Sequence, residues 1–196
     1  MSHASTKPAI ASTDPSLGGQ KDVASITSDW NSRQDPIHGV RVREVKNVVK
    51  GNGDVLCEVF RRDWLPEESE VDQVFQSVIN PGNISAWHVH QHTTDRLFVS
   101  QGLLRIVLYD ARANSPTHER LNEYRFGAVR PALLVVPPGV WHGVQNISNM
   151  PVLLLNLVDS AYCYDDPDHW RLPVDNESIP YRFEPDDASR IRPASP

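Results

Sequence analysis

The chain is poor in cysteine and has no long apolar run. Its 196 residues include two cysteines, Cys57 and Cys163, which are far apart and do not form a CxxC pair. This spacing gives no support for zinc–cysteine or dithiol redox chemistry. A bilayer-spanning helix needs about 18 or more consecutive apolar residues, and the sequence contains no such run. We therefore expect no membrane partner.

An excess of positive charge is also absent. Lys and Arg number 19 against 25 Asp and Glu, and the formal net charge is -6. Nucleic-acid binding typically requires clustered Lys and Arg, so the composition predicts no nucleic-acid partner. The first residues, MSHASTKPAIASTDPSLGG, lack the apolar stretch of a signal peptide. We therefore expect a cytoplasmic location.

Composition divides the chain into three parts. Residues 1–36 are rich in Ser, Thr, Asp, Gly and Pro, which predicts a flexible or extended N-terminal arm. Residues 186–196 form a polar, proline-containing C-terminal tail. Between them, residues 37–185 carry the patterned segments and are predicted to form one domain.

This middle part consists of short segments with strand signals. VRVREVKNVV (40–49), VLCEVFRRDW (55–64) and VDQVFQSVIN (71–80) are followed by runs such as LLRIVLYDAR, ALLVVPPG and PVLLLNLVDS. In 71–80, alternation places Gln73, Phe75, Ser77 and Ile79 on one face and Val74 and Val78 on the other. The runs are too short and closely spaced for βαβ units. They predict an all-β, mostly antiparallel sandwich or barrel with few short helices.

Histidines cluster in the stretch AWHVHQHTT. His88 and His90 are two residues apart, so they share one face of a strand, and His92 joins them if the strand continues. Asp95 follows a short turn, and His142 follows the later turn Pro-Pro-Gly. Three imidazoles and a carboxylate suit a first-row divalent ion. The alternative is a set of hydrogen-bonded histidines without metal. By the same alternation, Trp87 and Trp141 are predicted to point away from the histidines and to pack in apolar surroundings.

The spacing of these residues resembles the two motifs of the cupin superfamily. The first, G-x5-H-x-H-x3,4-E-x6-G, is matched from Gly82 to Gly102 with Asp95 at the glutamate position. The second, G-x5-P-x-G-x2-H-x3-N, is matched from position 131 to Asn146, with Pro131 in place of its first glycine. The resemblance implies a jelly-roll β-barrel with a site in its mouth. It also implies His88, His90, Asp95 and His142 as ligands of a divalent metal ion such as Fe, Mn, Ni or Zn.

A closer resemblance covers about residues 37–182. GVRVREVKNVV, GDVLCEVFRRDW, DQVFQSVINPG, LYDARANSPTHER and LLVVPPGVWHGVQNIS are similar to segments of the dTDP-4-dehydrorhamnose 3,5-epimerases. The related sugar-nucleotide 3,4-ketoisomerases are similar in HVHQHTTD and in the run LLLNLVDSAYCYDDPDHWR. The resemblance implies an isomerase-class enzyme. Its substrate would be a nucleotide-linked 4-keto-6-deoxy sugar, no cofactor would be required, and the protein would form a homodimer.

The resemblance also implies roles for individual residues. His88 falls on the catalytic histidine, which removes a proton next to the ketone, and Asp175 lies near the aspartate that orients it. Arg96 sits where the epimerases place a lysine near the sugar. The family tyrosine maps onto Leu155 or Asn156, neither of which is a phenol.

Further residues are candidates for substrate contacts. Arg61 is a candidate for the diphosphate, and His92 and Tyr162 are candidates for the rim of the site. The segment from Tyr162 to Trp170, which mixes aromatic and acidic residues, is either a surface loop or a wall of the pocket.

Two other function classes stay open. The first is a metal-dependent cupin enzyme, an oxygenase or isomerase of a small molecule, that uses the four ligands named above. The second is a non-catalytic cupin, either a sugar-binding or a storage-type protein. His90 together with Asp95 separates the first class from the epimerases, because a proton-transfer enzyme does not need both.

Overall fold

The computed structural model describes residues 24–29, 31–64 and 70–183. Most of the predicted arm and the whole predicted tail lie outside these ranges, and their boundaries stay predictions. The chain divides into two units at the junction between Asp35 and Pro36. In the first unit, Ile26 and Ser32 form an isolated antiparallel bridge.

The described residues of the second unit form twelve strands and one turn of 3-10 helix, Arg62–Trp64. The strands are β1 Arg41–Glu44, β2 Asn47–Val49, β3 Val55–Cys57, β4 Gln73–Ile79, β5 Ile84–Val89, β6 Asp95–Gln101, β7 Leu103–Asp110, β8 Leu121–Gly127, β9 Ala132–Val136, β10 Val140–Asn146, β11 Val152–Val158 and β12 Trp170–Arg171. No helix within the described ranges is long and apolar enough to cross a membrane.

The strands form two five-stranded sheets and one hairpin. The first sheet has the order β1-β9-β6-β11-β4, the second has the order β12-β5-β10-β7-β8, and β2 pairs with β3. Every pairing is antiparallel. The predicted all-β jelly-roll architecture is confirmed. Among the described strands, however, no pairing joins the two sheets into a closed barrel.

The inner strands of both sheets are covered on both faces, which explains the continuous apolar runs in the sequence. Side chains of β7 point alternately to its two faces. Leu104 and Ile106 belong to the main core between the two sheets, whereas Val107 belongs to a second apolar cluster on the outer face of the second sheet. Residues 172–183 cover that outer face. A third cluster covers the outside of the first sheet around Leu133. Trp87 lies fully buried in the second cluster, and Trp141 packs against it, as predicted.

The turn after β7 is organised by the buried carboxylate of Asp110. It accepts hydrogen bonds from Arg112 Nε (2.8 Å), Ser115 Oγ (2.6 Å) and Thr117 Oγ1 (2.6 Å). Burial alone would raise the pKa of Asp110, but these hydrogen bonds outweigh burial and lower it well below its ordinary value of 3.8. Arg112 in turn lies under Gly139 (φ +78°), where an added Cβ would come within 2.9 Å of the arginine side chain. The Asp110 network therefore supports the Pro-Pro-Gly turn that leads to His142.

Replacement of Asp110 tests this network. Because the pKa of Asp110 is lower in the folded state than in the unfolded chain, its charge adds stability above the unfolded pKa, and that stability is lost as pH falls towards the folded pKa. We expect Asp110→Asn to lower the free energy of unfolding by about 2 kcal/mol at pH 7, with a smaller difference near pH 3. Denaturant unfolding at both pH values measures this effect, with the exposed Glu177→Gln as control. An equal loss at both pH values would contradict an electrostatic origin.

Candidate active site

A cavity of about 400 Å³ opens between the two sheets. It is lined by side chains of β4, β5, β6, β10 and β11 and by the segment 160–171. Gln73, Phe75, Ser77 and Ile79 of β4 face it, whereas Val74 and Val78 are exposed on the outside. The predicted faces of this strand are therefore confirmed.

A β-bulge in β5 shapes the cavity wall. His142 is paired with His88, but Val144 is paired with Ser85, so β5 has one more residue than β10 between the two pairs. An extra residue in one strand changes the direction of its side chains. As a result, Ser85 and His88 both line the cavity although they are three residues apart.

Asp95 lies between two histidines at the buried end of the cavity. Its Oδ2 is 3.3 Å from His90 Nε2 and 3.3 Å from His142 Nε2. Its Oδ1 accepts a hydrogen bond from Asn156 Nδ2 at 2.6 Å. The Nδ1 atoms of the two histidines contact main-chain carbonyl oxygens, those of Asp168 for His90 and of Val140 for His142.

These contacts shift the pKa values of the cluster in different directions. Burial opposes charge on His90, but the hydrogen bond and the negative charge of Asp95 raise the pKa of His90 above 6.5. Burial would raise the pKa of Asp95, but its histidine and asparagine partners lower it below 3.8. Burial dominates at His142 and lowers its pKa.

His88 belongs to a second group, together with Ser85 and His169. Its Nε2 is 3.0 Å from Ser85 Oγ, and its Nδ1 is 2.9 Å from His169 Nε2. Burial, followed by the positive charges of neighbouring histidines and Arg171, lowers the pKa of His88 to about 3. The ring is therefore neutral at physiological pH, and its surroundings disfavour the protonated form.

The segment after residue 160 closes the cavity through Asp168. Its carboxylate accepts hydrogen bonds from the backbone N–H groups of Gln91 (2.7 Å), His92 (2.9 Å) and Thr93 (3.0 Å), and from Thr93 Oγ1 (3.0 Å). Burial opposes the charge of Asp168, yet these donors lower its pKa to about 2. This clamp brings the next residue, His169, beside His88.

The predicted site residues divide into two groups. Those that line the cavity are His88, His90, His92, Asp95, His142 and Tyr162. His92 and Tyr162 are exposed at its rim. The segment 162–170 contributes Asp166, Asp168 and His169 to the lining, so it is a wall of the pocket.

Three predicted residues lie elsewhere. Arg96 is fully buried behind the cavity wall, with Arg96 Nη2 3.8 Å from Asp159 Oδ2. Arg61 is exposed and forms an ion pair with Asp63 at 2.8 Å. Asp175 is exposed and does not line the cavity. The structure does not bring these three residues to His88.

The sequence did not identify Ser85 and Arg171 as cavity residues. It indicated Asn156 only as a position of the family tyrosine, and Asp168 and His169 only as members of the segment 162–170, without individual roles. Arg171 carries the single guanidinium group among the described residues that line the cavity. The run DPDHWR was the available signal, but only the pairing of β12 with β5 shows that His169 and Arg171 reach His88.

Among the described residues, one group of side chains could hold a metal ion. His90, Asp95 and His142 each present a ligand atom, and these atoms lie within 4.8 Å of one another. His88, the fourth predicted ligand, is not in this group, since its two ring nitrogens face Ser85 and His169.

Comparison with known proteins finds relatives that cover most of the chain. The probable low-salt glycan biosynthesis epimerase Agl13 of Haloferax volcanii is 35% identical over 140 residues, which cover 71% of this chain and 89% of that protein. The spore coat polysaccharide biosynthesis protein SpsL of Bacillus subtilis is 34% identical over 147 residues, which cover 75% of this chain and 96% of that protein. No family model matches the chain.

Solved structures give the same fold. A dTDP sugar isomerase from Desulfovibrio desulfuricans has 29% sequence identity and a TM-score of 0.68, covering 74% of this chain and 90% of its own. The dTDP-4-dehydrorhamnose 3,5-epimerase of Bacillus anthracis has 21% identity and a TM-score of 0.68, covering 82% and 97%. At 21% identity, the similarity to the Bacillus anthracis enzyme shows only that the two chains share a fold.

Replacement of Asp168 tests whether the hydrogen bonds of its carboxylate order the loop 91–93. We expect Asp168→Ala to speed amide hydrogen exchange of Gln91, His92 and Thr93 by about tenfold or more, because each N–H loses a charged acceptor worth more than about 1.4 kcal/mol. Hydrogen exchange resolved by mass spectrometry or NMR measures this change, with the neighbouring exposed Asp165→Ala as control. Unchanged exchange at these three amides would show that the clamp does not order the loop.

Proposed function

The chain belongs to the sugar epimerases of the cupin superfamily, and we propose that it epimerises or isomerises a nucleotide-linked 4-keto-6-deoxy sugar. His88 carries this proposal, since it occupies the position of the catalytic histidine in the resembled family and lines the cavity in a neutral state. The relatives support the isomerase class, and the dTDP-sugar isomerase among the similar structures supports dTDP as the nucleotide.

In the proposed mechanism, His88 removes the proton from the carbon next to the ketone. A neutral imidazole is the form that accepts a proton. The imidazolium that results needs an acceptor for its Nδ1–H, and His169 Nε2 lies 2.9 Å from Nδ1. His169 thus takes the place that the sequence resemblance gave to Asp175. The Nε2 atom faces Ser85 at the cavity surface, where a substrate can replace the serine hydroxyl.

The enolate formed by this step requires a positive or hydrogen-bonding group near its oxygen. Arg171 lines the cavity and pairs in register with His88, which supports it in this role or as a diphosphate contact. It replaces Arg96 and Arg61 as the candidate cation. These steps are carried by side chains of the chain and require no cofactor.

An acid must return the proton to the sugar. At the position of the family tyrosine, Leu155 packs outside the first sheet, and Asn156 faces the cavity but is bonded to Asp95. Neither is an acid of suitable strength. Tyr162, which lines the cavity, is therefore the phenol we propose for substrate contact and proton return.

Replacement of His88 tests the mechanism. With a dTDP-4-keto-6-deoxy sugar in D₂O, we expect the wild type to incorporate deuterium next to the ketone. His88→Asn should reduce this rate by about 10²- to 10⁴-fold, because the general base is lost. NMR of the recovered sugar nucleotide measures incorporation. His118→Asn, on the exposed surface, is the matched control and should retain the wild-type rate. Equal exchange by the wild type and His88→Asn would refute His88 as the base.

A second candidate function is a metal-dependent cupin enzyme, an oxygenase or isomerase of a small molecule. The arrangement of His90 and His142 around Asp95 is the observation that favours it. In the first candidate a side chain is the reacting group. In the second, His90, Asp95 and His142 would hold a divalent ion that would supply Lewis-acid chemistry.

We further propose that the protein is a cytoplasmic homodimer that binds neither nucleic acid nor membranes. β4 is an edge strand with one described neighbour, β11, and its outer face exposes Val74 and Val78. An exposed apolar sheet edge is a surface that a second copy can cover. The net charge of -6 supports the absence of a nucleic-acid partner, since nucleic-acid binding usually needs an excess of clustered Lys and Arg.

The homodimer is tested by light scattering coupled to size exclusion. We expect the wild type to have the mass of two chains, whereas the double variant Val74→Asp and Val78→Asp should have the mass of one, since charges in an apolar interface oppose association. The matched control is Val129→Asp, which alters another exposed valine. A wild-type monomer, or a double variant that remains dimeric, would refute this interface.

A further inference from the structure

We propose that Ser85, His88 and His169 form a nucleophilic serine site that hydrolyses small carboxylic esters through an acyl-serine. This activity goes beyond the proposed epimerisation, because it uses the hydroxyl of Ser85 and needs no sugar nucleotide. Three observations support it, which are the order of the hydrogen bonds, the access to Ser85 from the cavity, and the side chains around it.

The three side chains form one chain of hydrogen bonds. Ser85 Oγ is 3.0 Å from His88 Nε2, and His88 Nδ1 is 2.9 Å from His169 Nε2. A neutral imidazole has one ring hydrogen, so it donates at one nitrogen and accepts at the other. When Ser85 donates to Nε2, His88 therefore donates through Nδ1 to His169. A hydroxyl, a base and a group that orients the base are the parts of an activated serine nucleophile.

The hydroxyl is accessible, whereas its base is buried. Ser85 is exposed and lines the cavity, and His88 is 8% exposed. In a regular strand, residues three apart point to opposite faces. The bulge in β5 removes this restriction and brings both side chains to the cavity. A molecule in the cavity can therefore contact the hydroxyl of Ser85 while His88 lies behind it.

The proposed reaction begins with acylation of the serine. Ser85 Oγ forms a bond to the carbonyl carbon of the ester, and its proton passes to His88 Nε2. His169 accepts the hydrogen bond from His88 Nδ1–H and so stabilises the imidazolium. The ester C–O bond then breaks, and the alcohol leaves with the proton from His88.

Water completes the reaction. Its oxygen forms a bond to the carbonyl carbon of the acyl-serine, and His88 Nε2 takes one of its protons. The bond between the acyl group and Ser85 Oγ then breaks, and the proton returns from His88 to Oγ. The products are a carboxylic acid and the free serine, so no oxidant, reductant or further reactant is needed.

The cavity around Ser85 suits a small ester. Arg171 pairs in register with His88 and lines the cavity, so its guanidinium is placed to stabilise the negative oxygen of a tetrahedral intermediate. The volume of about 400 Å³ is within the range of small-molecule sites. Apolar side chains also line the cavity, namely Phe75, Val144 and Leu154. They suit a short apolar acyl group.

A fluorophosphonate probe tests the nucleophile directly. Its phosphorus bonds to an activated serine oxygen and releases fluoride, so mass spectrometry of peptides from the labelled full chain identifies the serine. We expect a single label, at Ser85. Ser85→Ala and His88→Asn should each reduce the labelling rate by about 100-fold or more. The matched control is Ser77→Ala, which removes a cavity serine on β4 and should leave the rate unchanged.

Hydrolysis of p-nitrophenyl acetate tests turnover and the role of His169. We expect the wild type to release p-nitrophenolate and to gain the mass of one acetyl group at Ser85 during the reaction. His169→Leu removes the acceptor for His88 Nδ1–H and should lower kcat by about tenfold or more with little change in KM. His169→Asp keeps an acceptor and should recover most of this loss.

The outcomes separate the parts of the proposal. A wild type that is not labelled, or is labelled at another residue, would overturn Ser85 as the nucleophile, whether or not any variant folds. Unchanged labelling of a His88→Asn variant that is folded by circular dichroism would overturn His88 as the base. A His169→Asp variant no faster than His169→Leu would overturn the orienting role of His169.

Both proposals use His88, and two measurements on the wild type distinguish them. Labelling at Ser85 without deuterium exchange into the sugar nucleotide supports acyl transfer and contradicts the epimerase mechanism. Deuterium exchange without labelling at Ser85 gives the opposite result.

Discussion

The buried carboxylate of Asp95 is the constraint on which the site depends. A charged group that is almost fully removed from water is costly unless its oxygens have partners. Asp95 begins β6 of the first sheet, whereas His142 lies on β10 of the second. Asn156, from β11, supplies the remaining hydrogen bond. The two sheets are not joined by strand pairing among the described residues, and Asp95 provides a polar link between them at the cavity.

Much of the fold follows from patterns that the sequence shows locally. Strand alternation identified the cavity face of β4 and the outward direction of Trp87. The sandwich architecture explains why other strands, such as Ala132–Val136, are apolar throughout, since both faces of their sheet are covered. The pattern did not separate β1 from β2 within the run 40–49, because valines recur along the whole run and no glycine or proline interrupts it. Their different partners, β9 and β3, are determined by long-range pairing.

The site was predictable where it depends on neighbours in sequence. His88, His90 and His142 reach the cavity as the motif spacing indicates. Alternation also explains the position of Arg96, since it follows Asp95 in β6 and must point to the other face when Asp95 points inward. The direction of Ser85 was not predictable, because it depends on a bulge whose location is visible only in the pairing of β5 with β10. Asp175 was assigned by resemblance, and the segment that carries it leads away from the cavity.

The segment Asp168–Arg171 connects the two histidine groups. The carbonyl oxygen of Asp168 orients His90, and its carboxylate fixes the loop that follows His90. The next residue, His169, contacts His88, and Arg171 pairs with His88 across β12 and β5. A shift of β12 by one residue would exchange the faces of His169 and Trp170 and remove the imidazole from His88. The register of this two-residue strand therefore determines the environment of both His88 and His90. That environment lowers the pKa of His88, raises the pKa of His90 and gives the two histidines different roles.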